Sequence, residues 1–225
     1  MSEPDRDLLY RVKGVGDALV GIVEEPRLSA ILSRLVAAAD HLGAAQVGAV
    51  MAQQLATTDG LHALIELFGQ GDRALDMAAL YLGAVSVHSA LDLCASVVLI
   101  AARGWTPGRI REPGVNELSA QIGKLSTPWQ QWWADTYRAE LAQLKQWRNP
   151  FVHSVMPRSV VGEPLSDGRL VRGSVRVSLM VRGEDGNEAE QFLGSAEDML
   201  ARFVNFGEER LLAIGWTLRT VFANG

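Results

Sequence analysis

The chain has 225 residues, enough to bury one sizeable core, and its 48% hydrophobic and 21% charged content is that of a globular protein and excludes a disordered one. A net charge of −5 excludes a surface that coats nucleic acid by bulk positive charge, and a single cysteine excludes an internal disulfide. No basic stretch followed by an apolar one opens the chain, so no secretory leader is expected, and the expected location is cytoplasmic.

Residues 5–25 predict a first helix, with Leu8, Leu9, Val12, Val15, Leu19, Ile22 and Val23 at helical spacing and Pro26 as its end. Gly14-x-Gly16 within it is no phosphate loop, because no strand precedes it and no third glycine follows. Helices over 28–41 and 44–55 are expected next, then a break at 57–60 and a short helix over 61–68. Asp72 is placed to cap a long helix ending near residue 102. Its segment 77–102 carries only His88 and Asp92 as strongly polar residues, and Cys94 reads as a small buried hydrophobe within it. The segment is long enough to span a membrane, but an aspartate near mid-span costs about 2.5–3.5 kcal/mol. The buried centre of a helical bundle is the better reading, with no membrane partner.

Residues 103–111 form a basic loop in which Arg103, Arg109 and Arg111 are either a plain surface turn or contacts to substrate phosphates. A short helix is expected over 115–125. Thr127 and Pro128 then open a longer helix running through Tyr137, Leu141, Leu144 and Trp147, with Thr127 as its cap. Trp129, Trp132, Trp133 and Trp147 at helical spacing point to core or dimer interface more than to stacking on bases. After a loop over 157–167 the pattern alternates with period two, predicting a strand at 175–181, a turn at 184–187 and a return strand at 188–193, with a third short strand at 170–172. Ser195 and Asp198 open a last helix, 195–222. The expected fold is mainly α: one domain over 1–225, a helical bundle with a small antiparallel β-hairpin near residues 169–193, the ornament spanning 168–194.

Charge is unevenly distributed along this scheme. Residues 1–102 hold 6 basic and 12 acidic side chains, 177–225 hold 4 and 8, but 103–176 hold 11 and 6, a local excess of five positive charges. That basic third contains Lys145-Gln146-Trp147-Arg148-Asn149-Pro150-Phe151-Val152-His153. Pro150 lacks an amide hydrogen and disfavours helix at the residue before it, so the incoming helix is expected to stop or kink at Arg148-Asn149. Asn149 would then cap a new turn and share a face with His153, four residues on. Amides at a helix start, a guanidinium and an imidazole together suit a phosphodiester. Arg and His at such spacing arise by accident roughly once in a chain of this composition, and Arg34 with His41 is one such match. Requiring Asn, Asp or His directly after the arginine lowers the expectation to roughly 0.09 and retains Arg148.

Arg148-Asn149-x-x-x-His153, late in a helical chain after a long apolar helix, resembles the Arg-x(four to six)-His motif of the HEPN superfamily, the higher eukaryotes and prokaryotes nucleotide-binding domains. The resemblance covers mainly the central long helix and the motif helix. It implies an HEPN-like bundle and a metal-independent endoribonuclease, with Arg148, Asn149 and His153 as catalytic residues. Lys145, Arg158 and the arginines of the 103–111 loop would contact RNA. It further implies a homodimer, no cofactor or metal, and a role in a toxin or antiviral defence system with an antitoxin or other protein regulator as partner. His88 and Asp92, four apart, are either a mutually satisfied buried pair or a support for this site, Asp92 accepting from Arg148 or orienting His153. The alternative function is a non-catalytic nucleotide- or RNA-binding or protein-interaction module.

Overall fold

The computed structural model describes residues 3–55, 78–79, 81–104, 114–136, 139–152, 159–161, 176–182 and 188–223. They are mainly helical. The described helices are α1 (Glu3–Leu19), α2 (Glu25–Leu55), α3 (Ser86–Arg103), α4 (Val115–Gln121), α5 (Thr127–Thr136), α6 (Ala139–Val152) and α7 (Ala196–Ala223), with a π-helical turn at Tyr81–Val85 and a 3₁₀ turn at Ile122–Lys124. Three strands, β1 (Ser159–Val161), β2 (Arg176–Arg182) and β3 (Glu188–Ser195), lie between α6 and α7 and pair antiparallel in that order. The β2–β3 register runs from Arg182 opposite Glu188 to Arg176 opposite Ser195, with an irregularity between Arg176 and Ser178. The strand beside β2 falls at 159–161, inside the stretch expected as loop; residues 170–172 and 184–187 lie outside the described residues, as do 57–71.

The first two helices differ from expectation for reasons of backbone chemistry. α1 stops at Leu19, and Gly21 follows with a φ of +79°, the left-handed conformation that glycine adopts without penalty. The Ile22 and Val23 amides donate to the Leu19 carbonyl, both at 3.1 Å, closing the end. Pro26 therefore does not end a helix; it lies in the first turn of α2, where a missing amide costs nothing. Nor does α2 break between residues 41 and 44. Gly43 sits in open space within an alanine-rich run whose propensity carries the helix past one glycine, a cost of roughly 0.5–1 kcal/mol. Thr127 is likewise inside α5 rather than its cap, since the carbonyl of Ser126 already accepts from the amides of Trp129 (3.0 Å) and Gln130 (3.2 Å).

Two compact units divide the chain: Met1–Gly43 with Val87–Ala142 and Asn205–Gly225, and Ala44–Ser86 with Gln143–Val204. The first is built around α3, whose Val87, Leu91, Ala95, Val97 and Val98 are all at or near 0% exposed, as its all-round apolarity predicts. Tyr81–Arg103 and Glu25–Gln54 are both long and apolar enough to cross a membrane; 78% of the former's most apolar window is buried inside the protein. Arg27 of α2 donates to the Ile100 carbonyl (3.1 Å) and to that of Ala101, supplying a cation to the negative end of α3, and its guanidinium lies 5.1 Å over the Phe222 ring of α7. Arg34 is buried and bridges the same two helices by donating to Ser96 Oγ (3.0 Å) while closing on its own helix at the Ala30 carbonyl (2.8 Å). The accidental Arg34–His41 match is thus a packing arginine.

In the second unit the long helix expected over 72–102 is interrupted by the π turn at Tyr81–Val85 before α3 begins, and Asp72, its expected cap, lies outside the described residues. The turn packs without spare room. A Cβ on Gly48 would meet the Ala79 carbonyl at 2.6 Å and the Gly83 amide at 2.7 Å, and one on Gly83 would overlap the Leu200 side chain.

Cys94 is fully buried in α3, and burial pushes its thiol up from 9.0 to about 12. The unfolded thiol ionises near pH 9, the folded one only near 12. The unfolded state therefore releases a proton that the folded state retains, and stability falls as pH rises through this window, by up to about 1.4 kcal/mol per pH unit from this group. Labelling of Cys94 by a thiol reagent at pH 8 is expected to track global unfolding in urea; rapid labelling of the native protein would contradict its burial.

Candidate functional site

α6 carries the arginine of the motif. Leu144 and Trp147 are 0% and 2% exposed, and the Trp147 ring meets Phe203 of α7 edge to face, with centroids 6.0 Å apart and planes at 80°. This anchor decides the backbone path. Pro150 has no N–H for the Gln146 carbonyl, yet the chain stays helical to Val152, because the buried Trp147 turn holds the direction against one lost hydrogen bond. The expected stop at Arg148-Asn149 does not occur. Asn149 is accordingly no N-cap, and the neighbouring amides belong to the last turn of a helix, its partly negative end, rather than to an anion-binding start. Attraction for a phosphate at this position rests on side-chain charge. Lys145 and Arg148, three residues apart and both half-buried, share one face of α6.

Asn149 has a helical backbone one residue on, while His153, Arg109, Arg111 and Arg158 lie outside the described residues, as do Tyr137 and Arg138. Arg103 is exposed in the last turn of α3, just before Gly104, whose φ is +89°. Arg103 belongs to the first compact unit and Arg148 to the second.

His88 and Asp92 come together as one turn of α3 requires. His88 Nδ1 is 3.2 Å from Asp92 Oδ2, and Asp92 Oδ1 accepts the Val115 amide at 2.9 Å. Asp92 thereby caps α4 from another helix. Gly114, at the cap position, has no side chain to do so, and a Cβ there would stand 2.5 Å from Asp92 Oδ1. The only trace of that role in the sequence is Gly114 itself, a cap residue with no side-chain oxygen of its own. Gly114→Ala is expected to lower stability by about 1–3 kcal/mol in urea unfolding, whereas Gly123→Ala, in open space, carries no such clash. Equal effects of the two would remove the steric argument.

Trp129, Trp132, Trp133 and Trp147 are core. Trp129 and Trp132 are 1% and 3% exposed, Trp133 is buried beside them, and Trp132 Nε1 donates to the Arg210 carbonyl at 3.2 Å. None of these rings presents a face for base stacking. Arg210 itself is buried, with Asp135 and Glu209 carboxylates each 3.8 Å away, a pairing at long range for a guanidinium.

No family model, curated protein or solved structure matches the chain.

Proposed function

We propose that the chain is a metal-independent endoribonuclease of the HEPN type, acting in the cytoplasm as a homodimer in a toxin or antiviral defence system. The observation that supports this most directly is the placement of Arg148. The buried Trp147–Phe203 contact fixes the turn that carries it, with Lys145 on the same face and Asn149 directly after it. An arginine carried on a fixed helical turn has only its own side chain left to order before it meets the charge that develops on phosphorus.

In this scheme His153 removes the proton from a ribose 2′-hydroxyl as that oxygen attacks the adjacent phosphorus. Arg148 stabilises the pentavalent phosphorane, Asn149 positions the phosphate or the imidazole, and Lys145 adds positive charge beside it. The bond to the 5′-oxygen breaks, and the product carries a 2′,3′-cyclic phosphate. Pairing of two such centres across a dimer would supply one imidazole as base and another as acid, with an antitoxin or other regulator as the natural protein partner.

The continuous helix through Pro150 favours a second reading, because it withdraws backbone amides from anion binding and leaves a weaker phosphate site. Under it the chain is a non-catalytic nucleotide- or RNA-binding or interaction module. Incubation with short single-stranded RNA in EDTA separates the two. Cleavage that survives chelation and leaves cyclic phosphate ends supports the nuclease; saturable RNA or nucleotide binding without cleavage supports the module; neither activity removes both.

A further inference from the structure

The first compact unit holds a concavity unrelated to the Arg148 motif. It has a volume of about 300 Å³, at the lower end of the roughly 300–1,000 Å³ range of small-molecule pockets. α1, α2 and α7 form its walls. The floor is apolar, made by Val12, Leu35 and Leu211, each no more than 5% exposed. Gly215 sets the distance between the two walls, since it lets α7 approach α1 to where a Cβ would stand 2.7 Å from Val15. The rim carries two large aromatic rings turned to solvent, Tyr10 at 75% and Trp216 at 72% exposed. Two guanidiniums, Arg11 and Arg219, complete the lining, and among the described residues no carboxylate lines it. Arg219 is held at the mouth by donating to the Gly14 carbonyl at 3.0 Å, which uses one of its five N–H donors.

The geometry points to a binding site for a small amphipathic anion, an aryl or acyl carboxylate, whose apolar body fills the space over Leu35 and Leu211 and whose carboxylate meets Arg219. The chemistry selects this class over its neighbours. An apolar floor leaves the edge of a nucleobase without hydrogen-bond partners, and a cationic mouth rejects an ammonium. Arg is the side chain suited to a carboxylate, because its fork can bind both oxygens. The rim rings cover a bound body at low entropic cost, since each has only two rotatable side-chain bonds.

Calorimetric titration of the full chain with 2-naphthoate and with decanoate, alongside 2-naphthalenemethanol and 2-naphthylmethylammonium, tests the assignment. Saturable one-site binding of at least one carboxylate is expected, about tenfold weaker binding of the alcohol, and none of the ammonium. Which carboxylate binds more tightly assigns the natural ligand to the aryl or the acyl class. Arg219→Gln, at an exposed position, should weaken the carboxylate about tenfold while leaving the alcohol unchanged. Leu212→Trp, which narrows the space and leaves both arginines in place, should abolish both. Equal affinity for carboxylate and alcohol, or no binding of either carboxylate by a folded protein, would overturn the proposal. So would a Trp216→Ala change that alters oligomeric state in a protein that binds no carboxylate, since the rim would then be a protein interface.

Discussion

His153→Ala is expected to lower RNA cleavage in EDTA by about 10²–10⁴-fold, the usual worth of a positioned acid–base group, while the unfolding midpoint stays within the scatter of the wild type. Arg148→Ala should give a loss of similar order, since one charge-stabilising donor at a developing oxyanion contributes about 10²–10³-fold. Arg148→Lys separates two explanations of that loss. A lysine keeps the charge but not the planar fork, so partial recovery identifies bulk charge and no recovery identifies bidentate phosphate contact. Product ends decide the chemistry: 2′,3′-cyclic phosphates require attack by the neighbouring hydroxyl, and linear 3′- or 5′-phosphates from the first turnover would sink the proposed mechanism. Cleavage undiminished in His153→Ala would remove the imidazole from the reaction whatever the products.

Trp147→Ala is expected to carry the largest stability cost of any single change considered, about 3–5 kcal/mol, because it empties a site that is 2% exposed and removes an edge-to-face partner of Phe203. Trp147→Phe should recover most of this, keeping an aromatic edge but leaving a smaller void. The ring pair itself accounts for about 0.5–1.5 kcal/mol, measurable from a double-mutant cycle with Phe203→Leu. Urea unfolding followed by circular dichroism supplies both numbers. If Trp147→Ala unfolds at the wild-type urea concentration, α6 is not anchored as described and the fixed placement of Arg148 loses its basis. A variant at Trp147 that stays folded but cleaves RNA poorly would tie the anchor to activity as well as to stability.

Much of the fold could be read from the chain because burial leaves a periodic trace. Segment 77–102 has almost no polar residue, and α3 is the buried helix that this composition demands. Trp129, Trp132 and Trp133 follow helical spacing and are core. The failures share another origin, in positions where local preference and packing disagree. Pro26 and Pro150 both read as helix boundaries, since proline removes a hydrogen bond. One instead lies in a first turn that had none to lose, and the other is carried along by a buried tryptophan three residues earlier. The separation expected between helices 28–41 and 44–55 does not occur, because one glycine, Gly43, cannot outweigh the alanines around it. Close approach was invisible altogether. Nothing in sequence spacing shows that Gly114 sits against Asp92, or that Gly48 sits against Gly83. At the site the residue pattern singled out Arg148 over Arg34, and the geometry supplies a reason to set the latter aside: Arg34 is buried against Ser96. The cavity beside Trp216 left no readable signal, because its lining comes from residues 10–15, 35 and 211–219, brought together only by folding.

The sequence order of the first compact unit has a consequence for its birth on the ribosome. Its final wall is the stretch Asn205–Gly225, which reaches back to the earliest residues: Arg219 bonds the Gly14 carbonyl, Phe222 lies under Arg27, and Gly207 abuts Leu42. α1 and α3 emerge long before the helix that covers them. At roughly 5–20 residues per second, the faces of α1 and α2 that receive α7 stay bare for about ten seconds or more. Contacts of such long sequence separation form late and slowly. During synthesis, then, this chain presents an incomplete helical surface until α7 emerges, a window in which a chaperone or a second nascent copy is the alternative cover.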